Sequence, residues 1–113
     1  MIERTLIDYL NSALDVPVSA EVPKDPEESY VIVEKTGSAK VNHIKEATFA
    51  IQSYAPTMYD AAVLNELVKV AMEDIILETN ITKAELDGDY NFTNPNTRQY
   101  RYQAVYTITY MEA

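Results

Sequence analysis

Apolar positions recur along the chain with two different periods, and each period predicts a different kind of element. Over residues 2–14 they return at helical spacing and form one stripe, so we expect a first helix there. The stripe consists of Ile2, Leu6, Tyr9, Leu10 and Leu14. Pro17 stops any continuation, and the proline-rich residues 15–28 are expected to form an irregular, extended connection.

Four segments have the composition and alternation of strands. Residues 30–33 are apolar on both faces, which favours a central place in a sheet, and residues 44–55 alternate apolar with polar side chains. We expect these two strands to form a hairpin with a loop at residues 36–43. Residues 81–87 predict a third strand, and residues 99–110 alternate most regularly. One face of this last strand is expected to carry Tyr100, Tyr102, Ala104, Tyr106, Ile108 and Tyr110.

A second helix is expected after Pro56, where Thr57 is placed to cap the helix N-terminus. Glu66 and Lys69 have the spacing of an i, i+3 ion pair on its exposed side. Its wide apolar face consists of Leu64, Leu67, Val68, Ala71, Met72 and Ile75. The element order is therefore αββαββ. It predicts a single α+β domain over residues 1–113, a four-stranded antiparallel sheet with two helices packed on one face. The other face is expected to be polar and solvated, or covered by another subunit.

The charge balance is strongly acidic, with nine Lys and Arg against eighteen Asp and Glu, a formal net charge of −9. This disfavours binding to nucleic acid, which requires basic stripes, and to anionic membrane surfaces. The first residues lack the features of a signal peptide, and no apolar run is long enough to span a membrane. The absence of cysteine excludes disulfides, thiolate metal sites and cysteine nucleophiles.

Few residues could carry chemistry. His43 is the only histidine, and a general base also needs an orienting carboxylate and a nucleophile, so we expect an exposed histidine at a strand edge. Gly37 and Gly88 are the only glycines, which excludes a glycine-rich phosphate loop. The oxygen-rich residues 87–91 lack the distal glutamate of an EF-hand, so they predict a turn. We therefore expect no catalysis, no cofactor and no metal.

Four features of the chain form a common pattern. A first helix precedes a proline-bearing stretch, residues 30–37 form a strand with a turn, residues 50–55 run into an alanine- and leucine-bearing helix, and residues 100–110 close the chain. Over nearly its whole length the chain thus resembles the small tail-terminator, or tail-completion, proteins of long-tailed bacteriophages and prophages. The resemblance implies a non-enzymatic structural protein that forms a ring, commonly a hexamer, on the head-proximal end of the tail tube. The ring ends tube polymerisation and joins the tail to the head connector.

The partners implied by the resemblance are other copies of the chain, the tail-tube protein and the head-connector protein. DNA is expected to pass through the ring lumen without specific binding, and no membrane is involved. The protein is expected in the bacterial host cytoplasm during assembly and then in the virion tail or neck. Contacts are expected in or beside two polar loops, at residues 36–43 and 87–97. The candidate contact residues are Thr36, Gly37, Lys40, Asn42, His43, Asp89, Tyr90, Asn91 and Arg98.

Three other functions stay open. A head-closure or neck connector protein would share the size, the charge and the lack of catalysis, and would differ in its partner. An unrelated acidic binding module that mimics DNA would space its carboxylates like phosphates along one face, whereas the acids here are scattered over loops and helices. A small enzyme would lose its activity on the substitution His43→Ala.

Overall fold

The computed structural model of the chain describes residues 1–97 and 99–111, apart from the side chain of Val41. Its elements are α1 (Ile2–Ala13), β1 (Val18–Ser19), β2 (Tyr30–Val41), β3 (Ile44–Ala55), α2 (Met58–Glu73), α3 (Ile75–Glu78), β4 (Ile81–Asn91) and β5 (Tyr100–Met111). The α+β class is as predicted. The sheet is mixed and five-stranded, in the order β1-β2-β3-β5-β4, so the prediction of four antiparallel strands in the order αββαββ is wrong.

The short strand β1, which pairs in parallel with β2, accounts for the fifth strand. The Asn11 side-chain amide donates to the Val18 carbonyl at 2.9 Å, and the Val18 N–H donates back to Asn11 Oδ1 at 3.0 Å. The amide thus pairs with the β1 backbone as a neighbouring strand would. Val31 N–H donates to the Pro17 carbonyl at 2.9 Å, and Pro17 is tolerated because β1 lies at the sheet edge. The proline-rich connection is therefore attached to the sheet where it begins.

β2 and β3 form one long hairpin in place of the predicted short strand and loop. Residues 36–41 continue β2, and only Asn42 and His43 turn the chain, with φ angles of 50° and 72°. Two successive residues with positive φ match the right-handed twist of the flanking strands, and this lets a two-residue turn join them. Thr36 is an extra residue that forms a bulge in β2. The prediction of a loop over residues 36–43 is therefore wrong.

β4 also runs further than predicted and ends at Asn91. The pairing with β5 shifts between Ile81 and Lys83 and again between Leu86 and Gly88, and the latter shift makes Asp87 the extra residue of a bulge. The Asp-Gly sequence therefore marks an irregularity inside a strand instead of a turn. The predicted polar loop over residues 87–97 is wrong in its first part, because the chain leaves the sheet only after Asn91.

The helices pack on one face of the sheet, as predicted. The residues of β3 and β5 that face them are buried and paired in register, namely Ala47, Phe49 and Ile51 with Ile108, Tyr106 and Ala104. The helices bury Ile2, Leu6, Leu10, Ala61, Leu64, Val68, Met72 and Ile75 against this face. Tyr106 is only 4% exposed, which confirms the predicted facing of β5 at this position. The non-directional burial of these apolar side chains is the main term that stabilises the fold.

Two local predictions for α2 are confirmed. The Thr57 hydroxyl accepts a hydrogen bond from the Asp60 N–H at 3.0 Å, as an N-cap residue does. Lys69 Nζ lies 2.8 Å from Glu66 Oε1, so the i, i+3 ion pair forms. These contacts fix where α2 begins and which of its sides carries charge.

Candidate interaction surfaces

The structure places the candidate contact residues in two groups. The first group, on the outer half of the β2–β3 hairpin, consists of Thr36, Gly37, Lys40, Asn42 and His43, all exposed. The second group, at the end of β4, consists of Asp89, Tyr90 and Asn91. Arg98 lies outside the described residues. Within the first group, Gly37 and Lys40 pair with β3, whereas Thr36 is the bulge residue and Asn42 and His43 form the turn.

The outer members of the two groups lie at opposite ends of the sheet, whereas Gly37 and Asp89 lie closer together along it. The hairpin end is in register with the end of β5, since Ile44 pairs with Met111, whereas Asn91 pairs with Tyr102. The distance along β5 between these two pairs is about 30 Å at a rise of about 3.3 Å per residue. A surface that contained both Asn42 and Asn91 would have to span most of the 44 Å length of the molecule.

Asp89, in the second group, holds β4 to α2. Its carboxylate accepts hydrogen bonds from Asn65 Nδ2 at 3.0 Å and from Lys69 Nζ at 3.3 Å. The hydrogen bonds of Lys69 to Glu66 and to Asp89 raise the pKa of the Lys69 ammonium. The neighbouring carboxylate of Asp87 accepts from Thr107 Oγ1 at 2.6 Å on the other face of the sheet. The two aspartates therefore do not converge on one cation.

Tyr90 belongs to a row of polar groups on the face of the sheet away from the helices. The Tyr90 hydroxyl accepts a hydrogen bond from Gln103 Nε2 at 2.5 Å. Gln103 Oε1 in turn accepts one from Gln52 Nε2 at 2.9 Å. Gln52 Oε1 accepts one from the Tyr54 hydroxyl at 3.1 Å. Gln52 and Gln103 are buried. Because these groups satisfy one another, they specify strand register here.

Aromatic residues complete this face. The Tyr30 and Tyr54 rings stack with centroids 4.6 Å apart, and with Ile32 they form a second, small buried cluster. Arg101 Nη1 donates to the Tyr54 hydroxyl at 2.6 Å, and the guanidinium lies 4.4 Å from the centre of the Phe92 ring. This part of the sheet buries its own side chains, so the expectation of a solvated face is wrong here. Coverage of the face by another subunit stays a prediction.

The outer end of the β2–β3 hairpin differs in charge from the rest of the chain. Residues 38–45, which we call the hairpin tip, contain two lysines and no carboxylate. The register sets Lys40 opposite Lys45, and the next pair along the hairpin is Ala39 with Glu46. Ile44 adds an apolar side chain that is 44% exposed. The hairpin tip therefore combines positive charge with accessible apolar area.

A second apolar stripe on α2, which the sequence analysis did not predict, faces outward. It consists of Tyr59, Val63, Leu67 and Val70, with exposed fractions of 76%, 41%, 52% and 57%. Assigning Leu67 to the core is wrong, because the apolar residues of α2 extend further around the helix than the sheet can cover. The sequence could have indicated this stripe, because its residues follow one another in steps of four, four and three.

This stripe borders a groove between α1 and α2 with a volume of about 360 Å³, which we call the α1–α2 groove. Its lining is mostly apolar and consists of Tyr9, Ala13, Leu14, Asp15, Val16, Leu64, Leu67, Val70, Ala71 and Asp74. The Tyr9 hydroxyl donates to the Ala71 carbonyl at 2.5 Å and so ties the two helices together. The groove is therefore a fixed feature of the packing between the helices.

The α1–α2 groove lies in a negative potential. Burial raises the pKa of the Tyr9 hydroxyl above its ordinary value, and the carboxylates of Asp74 and Glu78 raise it further. The phenol therefore stays protonated and keeps donating to Ala71. A ligand for this groove would need apolar area together with positive charge.

Comparisons with known proteins leave the family open. No protein-family model matches the chain, and no curated protein matches it. In the part of the chain that the structure describes, no helix is long and apolar enough to cross a membrane. Within the same residues, no three His, Cys, Asp or Glu side chains are grouped as a metal site would require.

Proposed function

We propose that this chain is a non-enzymatic structural protein that assembles with copies of itself into a ring. In line with the resemblance in sequence pattern, the ring caps the tail tube of a long-tailed phage or prophage, ends its polymerisation and joins the tail to the head connector. The observation that carries the proposal is the outward apolar stripe of α2, since contiguous exposed apolar residues on a folded domain mark an interaction surface.

The sheet edges support association through side chains instead of strand addition. β1 covers only Val31 and Ile32, so the described remainder of β2 forms an edge, and Thr36 bulges out of it. At the other edge β4 carries Lys83 and the Asp87 bulge. Bulges and charged side chains on edge strands discourage pairing with a further strand. Association through the helical groove and the hairpin tip avoids this obstacle.

The charge of the chain suits a ring traversed by DNA. A net charge of −9 repels a polyanion, so DNA would pass the lumen without being retained. The same charge opposes the association of free copies, which a template on the tube would help to overcome. On this proposal the partners are the tail-tube protein on one side and the head connector on the other, with no cofactor.

The test is the solution mass by light scattering, for the chain alone and with the tail-tube protein of the same phage. We expect about six times the chain mass of 12.8 kDa, either alone or on the tube. The variant Leu67→Glu, which puts a carboxylate into the exposed stripe, is expected to stay monomeric. Leu77→Glu is the matched control, because Leu77 is an exposed leucine outside the α1–α2 groove.

Three results would contradict the proposal. A chain that stays monomeric and does not bind the tube protein does not act as a terminator. If it binds the head connector but not the tube, the neck-connector function takes its place. If the chain binds neither of these proteins and instead binds a basic nucleic-acid enzyme, the result supports the acidic binding module.

A further inference from the structure

We infer that a cavity between α2 and the edge strand β4 is a binding site for a compact, uncharged and mainly apolar molecule that carries one hydrogen-bond acceptor. The cavity, which we call the α2–β4 cavity, has a volume of about 350 Å³. This volume lies near the lower end of the range of small-molecule sites in proteins. The inference goes beyond the proposed function and does not depend on whether the chain forms a ring.

The apolar part of the lining comes from α2 and from the helix-facing side of the sheet. Met72 and Tyr106 are 2% and 4% exposed, whereas Val70 and Leu86 are 57% and 41% exposed. Ala84 on β4 has a small side chain, which leaves room between the strand and the helix. Exposed apolar area inside a cavity favours an apolar ligand, because binding removes this area from water.

The Tyr106 hydroxyl is the polar group that selects the ligand. The side chain is buried, yet no hydrogen bond joins its hydroxyl to another of the residues that the structure describes. The oxygen is not closed off from solvent, and Tyr106 lines the cavity, so the hydroxyl opens into it. Because buried polar groups are normally paired, a ligand in this cavity is expected to pair with the hydroxyl.

The Tyr106 hydroxyl acts as a hydrogen-bond donor over the physiological pH range. Burial and the carboxylates of Asp89, Glu73 and Glu66 raise its pKa to about 12, although the Lys69 ammonium opposes them. The phenol therefore keeps its proton, and its partner must supply an acceptor such as a carbonyl oxygen. One such hydrogen bond in an apolar cavity would fix the orientation of the ligand.

Charges around the cavity select against a charged ligand. Glu66 and Glu73 line it together with Lys69, whose ammonium lies 2.8 Å from Glu66 and 3.3 Å from Asp89. The carboxylates of this rim repel an anion, and the ammonium, which has the largest effect of any charge on the Tyr106 hydroxyl, repels a cation there. The contact with Asp89 also holds β4 to α2, so the cavity is formed before a ligand binds.

Cyclohexanone is the probe, because it is compact and uncharged and has a single carbonyl oxygen. Its binding is followed by nuclear magnetic resonance of the isotopically labelled chain, through the amide chemical shifts. At millimolar concentrations of the probe we expect saturable shifts that are centred on the residues lining the cavity. Cyclohexanecarboxylate has a similar size but is an anion, so it should bind about tenfold more weakly.

Two variants test the residues of the site. Tyr106→Phe keeps the ring and removes the hydroxyl, so it should weaken the binding of cyclohexanone by about threefold to tenfold. Tyr110→Phe is the matched control, because Tyr110 packs against the same core from β5 but lies outside the cavity. Ala84→Leu should fill the cavity and abolish binding. Circular dichroism melts establish that each variant is folded.

The outcomes separate this inference from the proposed function. The inference is overturned if cyclohexanone causes no saturable shifts in the parent chain, or if the carboxylate binds as well as the ketone. Equal affinities of Tyr106→Phe and Tyr110→Phe, or undiminished binding to Ala84→Leu, would also overturn it. A chain that binds cyclohexanone as expected but never exceeds the monomer mass, alone or with tube protein, contradicts the proposed function and leaves this inference intact.

Discussion

Replacing Tyr106 by alanine tests the core directly. The side chain is 4% exposed on the helix-covered face of β5, flanked in register by Phe49 of β3 and Leu86 of β4. Burial raises the pKa of its hydroxyl to about 12, as expected for a phenol removed from water. Truncation would leave a cavity between the sheet and the helices, and the backbone pairing of β5 with β3 and β4 limits how far this cavity can collapse.

The magnitude follows from large-to-small substitutions at buried aromatic positions, which cost about 3–5 kcal/mol. For 113 residues the unfolding entropy is about 240 cal/mol/K, so the melting temperature should fall by about 13–20 °C. The assay is urea denaturation followed by circular dichroism, together with a thermal melt. Since domains of this size are typically stable by about 5–15 kcal/mol, the variant should still fold at low temperature.

Tyr59→Ala is the matched control, because Tyr59 is 76% exposed on the outer side of α2. It should change the free energy of unfolding by less than about 0.5 kcal/mol. If Tyr106→Ala destabilises the protein no more than Tyr59→Ala, the facing of β5 is inverted and the assignment of the core is wrong. A loss of cooperativity in the parent protein would invalidate the comparison of midpoints.

Three further substitutions test local features. Thr57→Ala removes the cap of α2 and should cost about 1 kcal/mol in urea denaturation, whereas no loss would show that the cap is redundant. Asp89→Ala leaves the buried amide of Asn65 and the ammonium of Lys69 without this carboxylate. It should cost about 1–2 kcal/mol, and an unchanged midpoint would contradict the role of Asp89 in holding β4 to α2. Because the pKa of Tyr106 is about 12 in the folded chain and 10.0 ordinarily, the unfolded chain loses this proton first, and stability should fall as the pH rises from about 10 to 12. The variant Tyr106→Phe lacks this hydroxyl, so its free energy of unfolding should fall less between pH 8 and pH 11 than that of the parent protein.

Elements with a buried face were predictable from the sequence. The bounds of β3 are those predicted, and α1 differs by a single residue at its end, because burial imposes the period of the element on its apolar side chains. The outer half of β2 was missed since residues 34–40 are exposed and show no apolar alternation. Backbone pairing with β3 holds them in the strand, and such pairing leaves little mark on composition.

The two glycines illustrate a further limit. Both Gly37 and Gly88 read as turn signals, yet each follows the extra residue of a bulge and neither has a positive φ. The left-handed residues are Asn42 and His43 instead. Local residue preference thus favoured turns at two positions where the pairing of a long neighbouring strand determines the conformation.

The periodicity of apolar residues alone could not predict the α1–α2 groove. Leu64 and Leu67 lie three residues apart on α2, and both fit an apolar face, yet one is buried and the other is half exposed. The difference depends on where the edge of the sheet and α1 end, which is a property of the tertiary packing. The contact role of Lys40 and of the other candidate residues stays a prediction.

The apolar stripe and the acidic charge of the chain have opposite effects on association. The stripe, with Leu67 and Val70, favours contact between copies, and the charge of −9 opposes it. Repulsion between whole molecules extends over about one Debye length, about 8 Å at physiological ionic strength, whereas the apolar stripe acts only at contact. On the proposed function, a template that aligns copies would offset this repulsion and bring the stripe of each copy against its neighbour. The end of the tail tube would supply such a template.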